Sequence, residues 1–259
     1  MFETLQFAAE DGIGVLTLNR SARLNAVNTA MANELEALAR QLRDDRSLRV
    51  VIVCGSGRVF CAGADISALD GLVGADGAWR FLEGLQSALN AIEALPMPTI
   101  AAVHGLAFGG GCEIALACDF RLLEDDAQLG VPEIKLGLLP GAGGTQRLSR
   151  LLPPAVAKQM IYLGEPLSAK DALGHGLINA ITAKGEVHNE ARAWAKRLAA
   201  LPPLALRSAK LLVHGAALAG LANGIEAERQ AVALLFQTGD AQEGLRAFLD
   251  KRSAHFLGN

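Results

Sequence analysis

Aromatic residues are scarce in this 259-residue chain, which has two tryptophans, one tyrosine and an aromatic content of 5%. Tryptophan and tyrosine supply much of the contact area at protein interfaces, so this composition argues against a protein built around an aromatic binding surface. Hydrophobic residues nevertheless make up 51% of the chain, and 28 residues are glycine. The length and the abundance of small aliphatic residues favour an α/β protein with closely packed helices.

Strong charge and uninterrupted hydrophobic runs are also missing. The net charge is −3 without a Lys/Arg block or an RNA-binding signature, so we predict no nucleic-acid partner. The uncharged run at residues 94–112 is long enough to span a bilayer, but Pro96, Pro98 and several glycines interrupt it. We therefore predict no membrane helix. The first residues also lack the basic and apolar segments of a signal peptide.

Cysteines are few and carry no metal-binding pattern. Cys54, Cys61, Cys112 and Cys118 form no Cys-x-x-Cys pair and have no histidine at metal-ligand spacing. We therefore expect no metal site. Each lies in an apolar context, which is typical of small core residues in a reducing compartment. Together with the missing signal peptide, this predicts a cytoplasmic protein.

Hydrophobic patterns predict a strand–helix–strand unit near the N-terminus. Residues 13–19 alternate as in a strand, and Asn28 can cap a helix whose apolar residues recur at helical spacing. Residues 49–54 form a continuous apolar run, as expected of a parallel strand covered on both faces. Such a unit predicts a right-handed crossover and a parallel sheet.

The rest of the chain suggests one boundary. Residues 67–78 lack a pattern and are predicted to form a mobile surface segment, followed by a helix from about residue 79 to 95. Ser168 is predicted to cap a further helix, and residues 177–181 to form a last short strand. Beyond residue 185 the pattern becomes almost entirely helical. We therefore predict a core at residues 1–185 and a helical region at residues 186–259, which could serve oligomer packing.

The first chemical motif lies at residues 99–119. An apolar run predicts a strand, which leads through Gly105 and the glycines at 109–111 into a helix with Glu113 in its first turn. Glycines leave backbone N–H groups open to a ligand, and the helix dipole favours negative charge at this end. A carboxylate in apolar surroundings is costly unless it has a partner or a function. The stretch therefore predicts an active-site element.

A second glycine turn, FCAGADI at residues 60–66, and a second glutamate, Glu133, extend this prediction. Backbone donors from two turns can converge on one oxygen and stabilise an oxyanion. Two carboxylates near one reacting centre can divide the roles of acid and base. The chain lacks a Gly-x-Ser-x-Gly nucleophile motif and the Gly-Lys-Ser/Thr of a phosphate loop, and its glycine segments do not fit a nucleotide-binding pattern.

Four segments, in this order, resemble the crotonase family, also called the enoyl-CoA hydratase/isomerase family. They are FCAGADI, AVHGLAFGGGCEIALACD, GVPEIKLGLLPGAGGTQRL and FLDKR, and the resemblance covers nearly the whole chain. It implies an α/β fold, a spiral of ββα units with a helical C-terminal region, assembled as a homo-oligomer (trimer or hexamer). It also implies an acyl-CoA thioester substrate, an enolate-like intermediate in an oxyanion hole, and a setting in fatty-acid β-oxidation.

The resemblance assigns roles to five positions of this sequence. The oxyanion donors are the backbone N–H groups of Ala64 and Gly110. The two catalytic glutamates are Glu113 and Glu133, and Gly141 matches the glycine whose N–H helps to hold the catalytic water. The implied reaction is syn addition of water across the 2,3 double bond of a 2-enoyl-CoA, giving a 3-hydroxyacyl-CoA. In this scheme Glu133 delivers the proton to the α-carbon.

The resemblance also implies contacts with CoA, which enters as part of the substrate, so no separate cofactor is expected. These contacts are assigned to Arg23, Ala62, Asp65, Ile66 and Lys251. Lys251 can reach CoA from a neighbouring subunit in this family. Asp65 suits a helix N-cap equally well. Ser67 stands where relatives often carry lysine, which weakens the case for one phosphate contact.

Three alternatives remain open from the sequence. A double-bond isomerase of the same fold would move a proton through one glutamate, whereas the intact set of Glu113, Glu133 and Gly141 favours water addition. An RNA-binding or scaffolding protein is disfavoured by the acidic charge balance. An inactive relative is disfavoured because no expected catalytic position is substituted. The length and shape of the acyl chain are not indicated by any pattern.

Overall fold

A computed structural model of the chain describes residues 2–67, 74–216 and 219–259. Within them, nine strands are β1 (Leu5–Glu10), β2 (Ile13–Leu18), β3 (Val50–Gly55), β4 (Thr99–Val103), β5 (Leu106–Phe108), β6 (Phe120–Glu124), β7 (Gln128–Gly130), β8 (Leu167–Ser168) and β9 (Ala180–Thr182). The main sheet has the order β1-β2-β3-β4-β6-β9 and is parallel except for the β1–β2 hairpin. A smaller sheet has the order β5-β7-β8.

Ten α-helices lie in the same described residues. They are α1 (Thr29–Asp44), α2 (Gly74–Glu93), α3 (Gly110–Leu116), α4 (Gly144–Leu151), α5 (Pro154–Leu163), α6 (Ala169–Gly174), α7 (Val187–Ala199), α8 (Pro203–Gly215), α9 (Leu221–Leu235) and α10 (Gly239–Leu249). Two 3-10 helices occupy Ser21–Arg23 and Pro132–Leu136. Among the described helices, none combines the length and apolar character needed to cross a membrane.

Both faces of the main sheet are covered, as the continuous apolar runs predict. Every residue of β3 and β4 is buried. Val51 and Val53 belong to the larger apolar cluster, formed with α1 and α2, whereas Ile52 and Cys54 belong to a second cluster formed with α7. Successive side chains of a strand point to opposite faces, so β3 contributes to both clusters. The fold is α/β with a mostly parallel sheet, as predicted.

The predicted helix caps are present. The side chain of Asn28 accepts a 2.9 Å hydrogen bond from the N–H of Met31 at the start of α1. The hydroxyl of Ser168 accepts one of 3.1 Å from the N–H of Asp171 at the start of α6. Each cap satisfies a backbone donor that the first helical turn leaves without a partner. These local signals therefore locate two helix starts correctly.

The helix predicted from about residue 79 begins earlier, at Gly74, and ends at Glu93. Of the segment predicted to be mobile, residues 68–73 lie outside the described residues, while residues 74–78 are helical. Asp76 places a carboxylate in the first turn, where the helix dipole favours it. Packing of α2 along α1 offsets the low helix propensity of its glycines.

Three of the observed strands, β1, β5 and β8, were not predicted from the sequence. The hairpin strand β1 lies at the sheet edge with four of its six residues exposed. Strands β5 and β8 contain three and two residues, too few to show an alternating pattern. The last predicted strand, at residues 177–181, is observed as β9 at Ala180–Thr182. Strands β5 and β8 are specified by pairing with β7 rather than by their own sequence.

The C-terminal helices differ in how they contact the core. Helix α7 packs on the main sheet through Val187, Ala191 and Ala195, whereas α8 and α9 contain no buried residue. Lys210 of α8 lies 2.7 Å from Oδ2 of Asp119 and tethers that helix to the core. Helix α7 belongs to the predicted C-terminal region but packs on the sheet of residues 1–185. The predicted boundary at residue 185 therefore stays a prediction.

Candidate active site

Two glycine-containing loops meet at the carboxyl ends of β3 and β4. The strands are parallel neighbours, so the loops that follow them leave the same edge of the sheet. Cys61 pairs with Ala107 in a β-bridge, and the carbonyl of Cys61 accepts a 3.0 Å hydrogen bond from Phe108. A Cβ on Gly111 would lie only 2.4 Å from that carbonyl oxygen. Glycine at 111 therefore allows α3 to approach the first loop.

The two predicted oxyanion donors lie side by side. A Cβ on Gly110 would lie 3.7 Å from the backbone nitrogen of Ala64. Within the described part of the chain, neither the Ala64 nor the Gly110 N–H donates a hydrogen bond. Two neighbouring N–H groups without acceptors are suited to hold one oxygen atom of a ligand.

Glu113 is buried beside this pair of donors, with 2% of its surface exposed. Its Oε1 accepts hydrogen bonds of 2.7 Å from the N–H groups of Ala142 and Gly144. Burial, with a further contribution from the charge of Glu133, raises the pKa of Glu113 to about 7. No described residue donates a hydrogen bond to Oε2, so this oxygen is available for proton exchange.

Glu133 lies on the 3-10 helix Pro132–Leu136 and approaches the loops that carry Ala64 and Gly110. A Cβ on Gly109 would lie 2.8 Å from Oε1 of Glu133 and 3.6 Å from the Cα of Gly63. Oε2 of Glu133 is buried and lacks a hydrogen-bond partner among the described residues. Burial raises the pKa of this carboxyl group above its usual value. Two carboxyl groups that resist ionisation therefore border one pair of backbone donors.

Gly141 lies in the loop that contacts Glu113. A Cβ at this position would lie 2.5 Å from Cδ2 of Leu82, which explains why the loop carries glycine here. The carbonyl of Gly141 accepts a hydrogen bond from Gln86, while its N–H has no acceptor among the described residues. That free N–H is compatible with the role implied for Gly141, which stays a prediction.

The sequence analysis missed the two N–H groups that hold Glu113. Gly144 begins α4, so its N–H is one of the donors that a helix start leaves free. A glycine run followed by a helix was visible in the sequence and could have indicated such a donor. The Ala142 N–H precedes the helix and carries no comparable signal.

Three of the predicted CoA contacts lie close together on two loops. The N–H of Ala62 donates a 3.0 Å hydrogen bond to the carbonyl of Leu24, which joins the loop at 60–66 to the 3-10 helix containing Arg23. Both Arg23 and Ile66 are exposed, Ile66 by 62%. An exposed cation and an exposed apolar side chain at the mouth of a site suit a nucleotide ligand, and the roles themselves stay predictions.

Asp65 has protein partners. It pairs with Arg20 at 2.9 Å and accepts hydrogen bonds from the hydroxyl and N–H of Ser67. The bond from Ser67, then the bond and charge of Arg20, hold the pKa of Asp65 below its usual value. The contact with the N–H two residues onward is the local kind expected of an Asp at a turn or cap. Arg20 was not identified from the sequence.

Lys251 is not brought to the glutamates within one chain. It follows α10 in the left-handed region, with φ of 55°. The adjoining tail docks where the carbonyl of Leu257 accepts a 3.2 Å hydrogen bond from Arg49, at the amino end of β3. The site loops leave the opposite end of that strand. No described hydrogen bond joins Lys251 to the site loops, and its role toward CoA stays a prediction.

Comparisons with known proteins agree over the full length. The family model described as Enoyl-CoA hydratase/isomerase matches residues 8–259. A crotonyl-CoA hydratase from Syntrophomonas wolfei is 37% identical over 257 residues, covering 99% of this chain and 98% of the relative. A probable enoyl-CoA hydratase from Mycobacterium tuberculosis is 38% identical over 255 residues, covering 98% of each chain.

Solved structures give the same result. An enoyl-CoA hydratase from Bacillus anthracis superposes with a TM-score of 0.95 at 35% identity, covering 99% of this chain and 100% of that one. An enoyl-CoA hydratase from Mycobacterium smegmatis gives 0.94 at 31% identity, covering 98% and 99%. Matches of this extent in sequence and in structure show that the chain belongs to the enoyl-CoA hydratase/isomerase family, the crotonase family.

Proposed function

We propose that the protein is an enoyl-CoA hydratase that adds water syn across the 2,3 double bond of a 2-enoyl-CoA thioester. The observation that carries the proposal is the convergence of buried Glu113 and half-buried Glu133 on two backbone N–H groups, those of Ala64 and Gly110, that have no acceptor among the described residues. A reaction with an enolate intermediate needs an oxygen-binding pair of donors, and water addition also needs one base and one acid.

In the proposed mechanism the thioester oxygen accepts hydrogen bonds from Ala64 and Gly110. The Gly141 N–H holds a water molecule near the β-carbon, and ionised Glu113 takes a proton from this water as its oxygen bonds to that carbon. The electron pair of the double bond shifts to the thioester oxygen, where the two donors stabilise the resulting enolate. Protonated Glu133 then delivers a proton to the α-carbon, and the 3-hydroxyacyl-CoA leaves. Exchange with solvent then removes the proton from Glu113 and returns one to Glu133, which restores the starting state.

The electrostatics of the pair suit a site in which the two carboxyl groups share one proton, whichever group holds it. Both carboxyl groups have raised pKa values, mainly because of burial. The negative charge of Glu133 makes ionisation of Glu113 less favourable, so near neutral pH the pair tends to hold one proton between them. One protonated and one ionised carboxyl group are what the addition of water requires.

The same proposal covers the CoA portion of the substrate and the oligomer. The exposed loop residues Arg23, Ala62 and Ile66 would border the nucleotide, and Lys251 would contribute from a neighbouring subunit. Helices α8 to α10 leave large apolar side chains exposed, including Leu211, Phe248 and Leu249. Such a surface on one chain supports assembly into a trimer or hexamer.

A double-bond isomerase of the same fold is the alternative within the family. It would need one proton-transferring carboxyl group, whereas this site holds two whose pKa values are raised by burial. The proposal is tested by mixing the protein with crotonyl-CoA and following the loss of the conjugated thioester absorbance. The hydratase assignment fails if that absorbance is stable while 3-butenoyl-CoA is converted to crotonyl-CoA.

A further inference from the structure

The loop at residues 140–144 holds Glu113 through two backbone N–H groups. One belongs to the first residue of α4, and the other precedes that helix. The N–H of Gly144 begins α4, so the first turn of that helix sets its direction. The N–H of Ala142 precedes the helix and donates to the same carboxylate oxygen, Oε1. Something outside α4 must therefore keep the Ala142 N–H directed at Glu113.

Gln86 of α2 contacts the peptide unit that contains this donor. Its Nε2 donates a 2.7 Å hydrogen bond to the carbonyl oxygen of Gly141. The carbonyl of Gly141 and the N–H of Ala142 belong to one planar peptide group. The hydrogen bonds therefore form a chain from Gln86 through the peptide to Glu113. Hydrogen bonds in such a chain polarise one another, so the first strengthens the second.

The next peptide of the loop is held by Arg147 of α4, whose guanidinium group contacts α2. Nη1 of Arg147 donates a 3.0 Å hydrogen bond to the carbonyl of Ala142. Nη2 of Arg147 lies 2.6 Å from a carboxylate oxygen of Glu93 and 3.0 Å from the side-chain oxygen of Asn90. Both residues belong to α2, as does Gln86. Helix α2 thus supports two consecutive carbonyl groups of the loop, one directly through Gln86 and one through Arg147 of α4.

Apolar contacts place α2 directly against the site. Leu82 contacts the loop so closely that a Cβ on Gly141 would lie 2.5 Å from its side chain. One turn along the helix, Leu85 would lie 3.7 Å from a Cβ on Gly110. The helix therefore touches both the proposed oxyanion hole and the loop that holds Glu113, and Gln86 follows Leu85 directly on this helix.

We propose that Gln86 is a positioning residue for Glu113, which it holds through the Gly141–Ala142 peptide. By fixing this peptide, Gln86 keeps the Ala142 N–H directed at Oε1 and favours the ionised carboxylate. Gln86 itself does not touch the reacting atoms. The kinetic consequence of this role rests on the proposed function, whereas its effect on the ionisation of Glu113 does not.

Other charged or titratable groups face Glu113 and must be kept constant in a test. They are Glu133 on its 3-10 helix, Arg147 on α4 and the adjacent thiol of Cys112 on α3. Substitutions of Gln86 leave all three in place. A change in the ionisation of Glu113 can then be attributed to the peptide that Gln86 holds.

Four variants separate the role of the hydrogen bond from side-chain volume. Gln86→Met keeps the length and removes the donor, Gln86→Lys keeps a donor, and Gln86→Glu directs negative charge at the Gly141 carbonyl. Gln146→Met is the matched control, since Gln146 is also exposed and its side-chain amide donates only to the neighbouring Thr145. Gln86 is exposed, so these changes should leave folding intact.

The ionisation of Glu113 can be followed without turnover. The sequence contains five Gly-Ala peptides, in which the alanines are Ala64, Ala75, Ala78, Ala142 and Ala216. Labelling glycine carbonyls with 13C and alanine nitrogens with 15N restricts a carbonyl–amide NMR spectrum to these signals. The Ala142 signal is identified by its loss in Ala142→Ser, and its pH titration reports the ionisation of the carboxylate it contacts.

The proposal predicts an order of titration midpoints at Ala142. Gln86→Met should raise the midpoint by about 0.5 unit or more, Gln86→Glu should raise it further, and Gln86→Lys should keep it at or below the wild-type value. In crotonyl-CoA hydration, Gln86→Met should lower kcat by between about twofold and tenfold, as for the loss of one hydrogen bond, with little change in KM. Gln146→Met should match the wild type in both measurements.

This design distinguishes a failure of the positioning role from a failure of the proposed function. If Gln86→Met titrates at Ala142 with the wild-type midpoint, the positioning role is wrong, whatever the catalytic rates. If the wild-type protein does not hydrate 2-enoyl-CoA thioesters, the proposed function is wrong, and the Ala142 midpoints still decide the role of Gln86.

Discussion

Gly109 and Glu133 occupy adjoining space: a Cβ at residue 109 would lie 2.8 Å from Oε1 of the glutamate. Gly109 also has φ of 50° and ψ of −123°, a conformation that side chains with a Cβ rarely adopt. The glycine therefore makes room for the carboxyl group as well as starting α3.

Replacing Gly109 with alanine tests this relationship. The new methyl group would displace the Glu133 carboxyl group, and a displacement of about 1 Å can cost on the order of 10²-fold in rate. We expect Gly109→Ala to lower kcat for crotonyl-CoA hydration by roughly that factor in a steady-state assay. Gly174→Ala is the control, because a Cβ there meets nothing within 4 Å. Wild-type kcat in Gly109→Ala would contradict the placement of Glu133.

The pH dependence of hydration follows from the raised pKa of Glu113, which burial brings to about 7. The proposed base must be ionised, so kcat/KM should fall as the pH drops below this value, by about tenfold per unit. Because the charge of ionised Glu133 contributes to this pKa, the ionisation midpoint of Glu113 followed by NMR should lie at lower pH in Glu133→Gln than in the wild type. The same midpoint in both proteins would contradict the coupling of the two carboxyl groups.

The contact between Lys210 and Asp119 predicts a stability effect away from the site. The Lys210 ammonium group also donates to the carbonyl of Met97, and both side chains of the pair are largely buried. Lys210→Met would leave Asp119 with His214 and Thr99 as its remaining partners and should lower the free energy of unfolding by roughly 2 kcal/mol.

The double variant with Asp119→Asn provides the control for this prediction. It removes the buried charge together with its partner, so in chemical denaturation it should lose less stability than Lys210→Met alone. Equal losses in the two proteins would mean that the ion pair does not hold α8 to the core.

The exposed apolar surface of the C-terminal helices predicts an oligomer. Leu211 and Phe248 expose 75% and 82% of their surfaces in the single chain. We expect analytical ultracentrifugation to show a mass three or six times that of the chain. Leu211→Asp combined with Phe248→Asp should reduce the mass, whereas Gln41→Asp, at an exposed position on α1, should not. A monomeric wild type would contradict the proposed assembly.

The sequence predicted those parts of the fold and site that local chemistry determines. The apolar runs of β3 and β4, the caps Asn28 and Ser168, and the glycine turns before Glu113 all have signals within a few residues. Short strands such as β5 were missed because three residues carry no period.

The sequence also did not predict contacts between residues that are far apart in the chain. The donors Ala142 and Gly144 are 29 and 31 positions from Glu113, Arg20 is 45 from Asp65, and Gln86 is 55 from Gly141. No spacing rule links residues so far apart, since the sheet and the packing of α2 bring them together. Such supporting residues become visible only in the folded structure.

The central claim is that Glu113 and Glu133 act together in adding water to a 2-enoyl-CoA. It is tested most directly by the initial rate of crotonyl-CoA hydration, measured from the thioester absorbance, in the wild type, Glu113→Gln and Glu133→Gln. General acid and base groups each contribute about 10² to 10⁴ in rate, so each variant should lose at least about 10²-fold while remaining folded. Wild-type rates in both variants would contradict the two-glutamate mechanism.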